Sequence, residues 1–109
     1  MTRPILLVLA LEQENHEQKL DKFADEILYT GVGKVNATYA LTQKLLQMPV
    51  KPLVVNVGSA GSHSFDAGIV VCITEFIQRD MDARAMGFAL GQTPFEANSS
   101  LEYGIPVNG

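Results

Sequence analysis

Very small side chains follow an apolar run in the segment VVNVGSAGS, residues 54–62. The four residues after Val57 let a ligand approach the backbone closely, and the glycines among them also permit positive φ. Free N–H groups and the Ser59 hydroxyl could then hold an anion, a ribose or a base edge. A tight turn without any ligand has the same composition, so composition alone leaves both interpretations open. The segment is not a nucleotide-triphosphate loop, because no GK[ST] follows it.

Two glutamates, Glu12 and Glu14, follow a second apolar run at residues 5–11. A carboxylate at the end of a strand can orient or deprotonate a water molecule. The alternative is a solvated helix N-terminus, where the helix dipole favours acidic side chains. On its own, this segment fits the second interpretation better.

The segment GVGKV, residues 31–35, has two of the three glycines of a dinucleotide-binding fingerprint. Two glycines are weak evidence for such a site. A turn before a helix, with Lys34 in the first helical turn, explains the segment better.

A third group of polar residues, in EFIQRDMDAR at 75–84, contains Glu75, Asp80 and Asp82. The D-x-D pair suggests a hard cation, but no third ligand stands at a recognisable spacing and no glycine turns the loop. Arg79 and Arg84 lie beside these acids and indicate ion pairs instead. We therefore predict neither a metal nor a cofactor.

The composition limits which classes of protein this chain can belong to. A chain of 109 residues with 47% hydrophobic and 18% charged residues predicts one globular domain, residues 1–109. The net charge is −4, and no basic patch favours nucleic acid or an anionic membrane. One cysteine, Cys72, excludes a disulfide framework, so we predict a buried thiol and a cytoplasmic protein. The first apolar run is too short to span a bilayer.

Apolar periodicity predicts an α/β fold with parallel strands. Buried strands are predicted at 5–11, 53–57 and 69–76, with a short strand at 27–29. A short helix is predicted within residues 12–26, starting near Glu14 or Asn15. A second helix is predicted over 34–48, ending at Pro49 and carrying one apolar side formed by Val35, Leu41, Leu45 and Met48. No element is predicted beyond Arg79. Ligands bind beyond the carboxyl ends of parallel strands, which here means residues 12–14, 31–34 and 58–62.

Four segments in order carry a family resemblance: ALEQEN, TGVGKVNAT, VVNVGSAGS and IVVCITEFIQRDMDARAMGFALGQTP. Together they resemble the purine nucleosidase and nucleoside phosphorylase superfamily, and most of all its 5′-methylthioadenosine/S-adenosylhomocysteine nucleosidases. The matching parts cover residues 5–11 and most of 27–95. The resemblance implies a three-layer α/β/α sandwich with a central mixed sheet. It also implies cleavage of the N-glycosidic bond of a purine nucleoside such as methylthioadenosine or S-adenosylhomocysteine.

The resemblance also implies roles for individual residues. Glu14 would hold the attacking water, and Val32 would lie near the ribose and the nucleophile. The base and the sugar would lie against Ser59, Ala60 and Gly61. A homodimer is implied as well, in which the segment after RDMD closes the partner's site over the 5′ substituent through Ala83, Met86, Phe88 and Pro94.

This sequence departs from the family in several places. The segment before GVGKV is much shorter than usual, and the usual GDIV reads AGIV at residues 67–70. Family members are roughly twice this length. The resemblance places the ribose-binding glutamate and the aspartate that protonates the purine in a further half. We therefore expect the amino-terminal half of an enzyme or a truncated relative.

Two other functions stay open. A phosphorylase needs arginines for phosphate, and only Arg3 precedes residue 79, with Lys34 as a substitute. A non-catalytic nucleoside-binding or dimerisation module would also fit the short chain.

Overall fold

The computed structural model describes residues 3–96 and 100–102. The chain divides into two compact units, Met1–Ser62 and His63–Gly109. The prediction of one domain stays a prediction. Within the described residues, no helix is both long and apolar enough to cross a membrane.

A parallel sheet of three strands forms the centre of the first unit. Strand β1 (Ile5–Leu9) lies between β2 (Glu26–Tyr29) and β3 (Leu53–Asn56), and both neighbours run parallel to it. The central strand is the best covered, and its four apolar residues from Leu6 to Leu9 are 0–6% exposed. Continuous apolar runs are typical of such strands. The predicted α/β fold class with parallel strands is therefore confirmed, while the third layer and the mixed sheet stay predictions.

Helix α1 (Lys34–Gln47) connects β2 to β3 and matches the predicted helix closely. It ends because Met48 precedes Pro49 and adopts extended backbone angles, φ −90° and ψ 120°. Lys51 Nζ then donates to the carbonyls of Leu45 and Met48, at 2.6 and 3.2 Å. A cation at this end of the helix also complements the helix dipole.

The predicted apolar side of α1 is only partly correct. Leu41, Leu45 and Met48 are half-buried, but Val35 is 83% exposed. At 100° per residue, Val35 lies about 120° around the helix from Leu41, so the two side chains do not share a face.

The predicted helix within 12–26 is wrong. Three short 3₁₀ turns replace it, at Glu12–Glu14, His16–Gln18 and Asp21–Phe23. Between the first and the last of these turns, Glu17 and Gln18 have positive φ values of 52° and 56°, which no continuous helix can accommodate. The Asn15 side chain also accepts the backbone N–H of Leu20, a bond that competes with helical pairing.

Strand β3 forms where it was predicted, but the prediction that it is buried is wrong. It lies at the edge of the sheet. Leu53 is 47% exposed, and Val54, Val55 and Val57 are each 37% exposed. An edge strand has only one neighbour, so it is covered less than β1.

The third predicted strand, over 69–76, is mostly wrong. Of residues 69–76 only the last two are in a strand, as the start of β4 (Glu75–Ile77), which pairs antiparallel with β5 (Ser100–Glu102). The sequence did not predict β5. A strand needs a partner for its backbone groups, and residues 69–73 pair with no strand within 3–96 and 100–102. Cys72 lies in that stretch and is exposed, so the predicted buried thiol is wrong as well.

Candidate active site

The carboxyl ends of the three parallel strands meet at one edge of the first sheet. The chain leaves this edge as residues 12–14 after β1, 31–33 after β2 and 57–62 after β3. Backbone bonds continue the pairing past the strands, among them those from Gly31 N to the Ala10 carbonyl at 2.9 Å and from Val57 N to the Val8 carbonyl at 3.0 Å. The three segments predicted to bind a ligand therefore lie at the same edge.

The carboxylate of Glu14 joins two of these segments. Its Oε2 accepts the backbone N–H of Ser59 at 2.8 Å and the Ser59 hydroxyl at 2.9 Å. Its Oε1 accepts the backbone N–H of Leu11 at 3.1 Å, which closes the first 3₁₀ turn. The strand end at Ser59 therefore serves to hold a carboxylate.

These donors hold the pKa of the Glu14 carboxyl below its ordinary value. The Ser59 N–H contributes most, followed by the Ser59 hydroxyl and the Leu11 N–H, and together they outweigh desolvation, which raises the pKa. The side chain is therefore an anion at neutral pH. An anion of this kind accepts a hydrogen bond from water readily. It takes a proton only from a group that has become acidic.

Val32 lies between two glycines with positive φ, Gly31 at 81° and Gly33 at 102°. Gly33 is the residue before α1, and its ψ of 159° puts it in a region of backbone conformation that is almost restricted to glycine. Asn36 Nδ2, in the first turn of α1, donates to the Val32 carbonyl at 2.8 Å. The Val32 side chain is 65% exposed, so it is available to a ligand at this edge.

The backbone of the small residues after β3 lies close to Glu14 at Gly58 and is open at Gly61. A Cβ added at Gly61 would meet nothing within 4 Å, while one added at Gly58 would lie 3.6 Å from Glu14 Oε2. Ser59, Ala60 and Gly61 are all exposed. The assigned roles of these three residues and of Val32 stay predictions.

The second unit contains the four residues predicted to reach a partner subunit. Ala83 is 9% exposed, and its carbonyl accepts the N–H groups of Met86 and Phe88 at 3.0 and 3.3 Å. The Phe88 ring packs edge-to-face on Phe95, with 5.6 Å between ring centroids. Met86 is 65% exposed, and Pro94 is half-buried. The segment therefore presents apolar groups to solvent, and its role in a partner's site stays a prediction.

The predicted ion pair in the acidic segment is present. Arg84 donates through Nε and Nη2 to the two oxygens of Asp82, at 2.9 and 2.7 Å. The pair lowers the pKa of Asp82 and raises that of Arg84. Across residues 3–96 and 100–102, no three His, Cys, Asp or Glu side chains are grouped so that they could hold a metal ion.

Asn15, the residue after Glu14, is a further polar residue near this edge that the sequence did not predict. Asn15 is 3% exposed and makes three hydrogen bonds through its side chain. Its only sequence signal was its place in ALEQEN, because an asparagine in a polar stretch ordinarily faces solvent.

Comparison with known proteins identifies the family. The model of the Phosphorylase superfamily matches residues 27–103. Several relatives are named 5′-methylthioadenosine/S-adenosylhomocysteine nucleosidase. The one from Anoxybacillus flavithermus is 41% identical over 70 residues, which are 62% of this chain and 30% of the relative. The one from Haemophilus ducreyi is 35% identical over 81 residues, 72% of this chain and 34% of the relative. The one from Bacillus cereus is 40% identical over 83 residues, 69% of this chain and 35% of the relative.

The chain therefore spans about a third of the length of these relatives. No solved structure matches it. The family match covers well over half of the chain and includes the segments after β2 and β3. The chain belongs to the phosphorylase superfamily.

Proposed function

We propose that this chain forms the water-binding side of a site that hydrolyses the N-glycosidic bond of a purine nucleoside. The contact between the Glu14 carboxylate and Ser59 carries the proposal. It fixes an anion at the edge of a parallel sheet where ligands bind, and the segment that holds it has open backbone two residues further on, at Gly61. The names of the relatives, which are nucleosidases, support the same reaction.

The chemistry of hydrolysis fits a carboxylate of low pKa. As the bond to the purine breaks, positive charge develops on the sugar, and the water oxygen bonds to the anomeric carbon. The purine leaves with the bonding electron pair and takes a proton from a general acid, the role that the resemblance gives to an aspartate of the further half. The attacking water becomes acidic only as it bonds to the sugar cation. Glu14 orients the water first and takes its proton late in the step.

Oxygen Oε1 is the better position for this water. Oε2 already accepts two hydrogen bonds from Ser59, and Oε1 accepts the N–H of Leu11. A carboxylate oxygen accepts about two hydrogen bonds, so Oε2 is filled and the water binds through Oε1. In this arrangement Ser59 holds the carboxylate, and the exposed Val32 contacts the sugar.

We further propose that the substrate carries an apolar 5′ group, such as the alkylthio group of methylthioadenosine. The support is the apolar segment with Ala83, Met86, Phe88 and Pro94, which would cover that group in the other subunit of a homodimer. An apolar cover also excludes water other than the nucleophile. We place this dimer in the cytoplasm, since the chain has one cysteine and needs no disulfide.

The test uses the protein expressed from its intact gene and measures release of free purine base from methylthioadenosine, adenosine and inosine. Each substrate is assayed with and without phosphate. The proposal expects release without phosphate, fastest for methylthioadenosine. The same assay is run on Glu14→Gln and, as a matched control, on Glu12→Gln, since Glu12 is exposed nearby.

Three outcomes would contradict the proposal. Release that requires phosphate would indicate a phosphorylase. Binding of methylthioadenosine without release would indicate a nucleoside-binding module. Equal rates in wild type and Glu14→Gln would remove Glu14 from the reaction.

A further inference from the structure

Asn15 is a buried polar residue directly beside the proposed water-binding carboxylate. Its side chain is 3% exposed, although asparagine is mostly found on protein surfaces. It sits in the turn between Glu12–Glu14 and His16–Gln18. Burial of an amide costs free energy unless its donors and acceptors are satisfied, so its partners explain its place.

The three hydrogen bonds of the Asn15 side chain are consistent with a single orientation of its amide group. Nδ2 donates to Asp21 Oδ1 at 2.8 Å and to the Tyr29 hydroxyl oxygen at 2.9 Å. Oδ1 accepts the backbone N–H of Leu20 at 2.9 Å. The opposite orientation would turn the amide oxygen toward a carboxylate and the NH₂ group toward an N–H. The partners therefore fix the amide in this orientation.

Consecutive residues thus connect the end of β1 to both of its neighbours. Glu14 reaches Ser59, after β3, and Asn15 reaches Tyr29, the last residue of β2. Tyr29 also leads into the loop that holds Val32. The segment that follows β1 contains no α-helix to fix it, and Glu17 and Gln18 have positive φ. Its position therefore depends on side-chain bonds such as these.

We propose that Asn15 is a positioning residue that holds the Glu14 carboxylate against Ser59 through its bonds to Tyr29, Asp21 and Leu20. Its importance for catalysis rests on the proposed function. The claim that Asn15 holds the Glu14 carboxylate against Ser59 does not depend on that function, because it concerns only the position of the Glu14 side chain. Asn15 itself touches neither water nor substrate in this proposal.

A matched pair of variants at Asp21 separates hydrogen bonding from charge. Asp21 is exposed, so its variants are expected to fold. Asp21→Asn removes the charge but keeps an oxygen that accepts from Asn15. Asp21→Leu removes the charge and the acceptor together. Loss of a nearby negative charge lowers a carboxyl pKa, whereas release of Glu14 from Ser59 raises it. The two mechanisms therefore have opposite signs.

The experiment is a ¹³C-carboxyl NMR titration of Glu14 in the full chain, with Glu14→Gln used to assign its signal. We expect Asp21→Leu and Asn15→Leu to raise the pKa of Glu14 toward its ordinary value. We expect Asp21→Asn to keep it low. Tyr29→Phe removes one of the three partners and should produce a smaller rise.

A lower melting temperature with an unchanged Glu14 pKa in all variants would mean that Asn15 has only a structural role, and would overturn the proposal. So would equal pKa values in Asp21→Asn and Asp21→Leu. If Asn15→Leu does not fold, the Glu14 pKa values in the two Asp21 variants and in Tyr29→Phe decide the question.

The rate of purine-base release separates the positioning role of Asn15 from the proposed function. Should Glu14→Gln stay active while Asp21→Leu raises the Glu14 pKa, the proposed function fails and the positioning role stands.

Discussion

Glu14 Oε2 and the backbone nitrogen of Ser59 are 2.8 Å apart, although 45 residues separate them in the sequence. Two parallel strands on neighbouring positions in the sheet make this contact possible, because both end at the same edge. The Ser59 hydroxyl binds the same oxygen at 2.9 Å. One short residue therefore supplies two donors to one carboxylate oxygen, which a larger side chain without a hydroxyl could not do.

Replacing Glu14 with glutamine should reduce purine release by about 10²-fold or more, the usual effect of losing an acid–base group. Glutamine has no charge to stabilise a developing sugar cation. Its amide also presents N–H groups where Glu14 accepts hydrogen bonds from Ser59 and Leu11. Initial rates of base release measure the loss. Glu12→Gln should stay within about twofold of wild type, and an equal loss there would show that the effect is not specific to Glu14.

Replacing Ser59 with alanine should raise the pKa of Glu14, because it removes the hydroxyl and keeps the backbone N–H. The folded-state pKa of Glu14 is depressed. The stability that its bonds contribute is therefore present above the ordinary value of 4.5 and is lost as pH falls through the folded-state pKa. Activity that needs ionised Glu14 is likewise lost as pH falls through this pKa. We expect the acidic limb of the pH–rate profile to move to higher pH in Ser59→Ala.

The control for this prediction is Thr42→Val, which removes an exposed hydroxyl from α1, away from the edge. Its acidic limb should match that of wild type. A limb in Ser59→Ala that stays in place, or moves to lower pH, would show that the hydroxyl does not stabilise the Glu14 anion.

Much of the site edge could be predicted from the sequence. Continuous apolar runs marked β1 and β3, and chain direction in a parallel sheet brought residues 12–14 and 58–62 to one edge. The sequence could not show that Glu14 binds Ser59. Two residues that are 45 positions apart carry no local signal of contact, and an acid near a 3₁₀ turn fits an ordinary solvated turn equally well.

The failures arose where particular hydrogen-bond partners, near or far in the sequence, decide the local structure. Polar residues with Leu20 and Phe23 at helical spacing suggested a helix, but the buried Asn15 amide takes the N–H of Leu20 and breaks it. Residues 69–73 have high strand propensity and yet pair with no strand in the part of the chain that the structure describes. Propensity predicts what a segment can adopt, whereas the partner decides what it does adopt.

Two glycines at this edge should respond to alanine in different ways. Gly33 has φ 102° and ψ 159°, so Gly33→Ala should lower the free energy of unfolding by about 1–3 kcal/mol. Gly61 has no positive φ, and a Cβ there meets nothing within 4 Å, so Gly61→Ala should change the free energy by less than about 0.5 kcal/mol. Denaturant unfolding measures both values.

Gly61→Ala is nevertheless expected to weaken the binding of methylthioadenosine, because the nucleoside is proposed to occupy the open space beside the backbone. Calorimetric titration of the folded variant measures the affinity. Wild-type affinity in Gly61→Ala would mean that the small residues after β3 serve the turn and not a ligand.

Phe88 and Phe95 offer a paired test of the proposed cover over the 5′ group. Either alanine variant breaks the same edge-to-face ring contact, which is worth about 0.5–1.5 kcal/mol. Only Phe88 is proposed to reach the substrate of the partner subunit. Phe88→Ala should therefore raise the KM for methylthioadenosine about tenfold, the scale of a lost apolar contact, and change that for adenosine much less. Phe95→Ala should change the KM for methylthioadenosine and the KM for adenosine by the same factor. Equal substrate profiles for the two variants would assign the ring pair to stability alone and would remove Phe88 from substrate recognition.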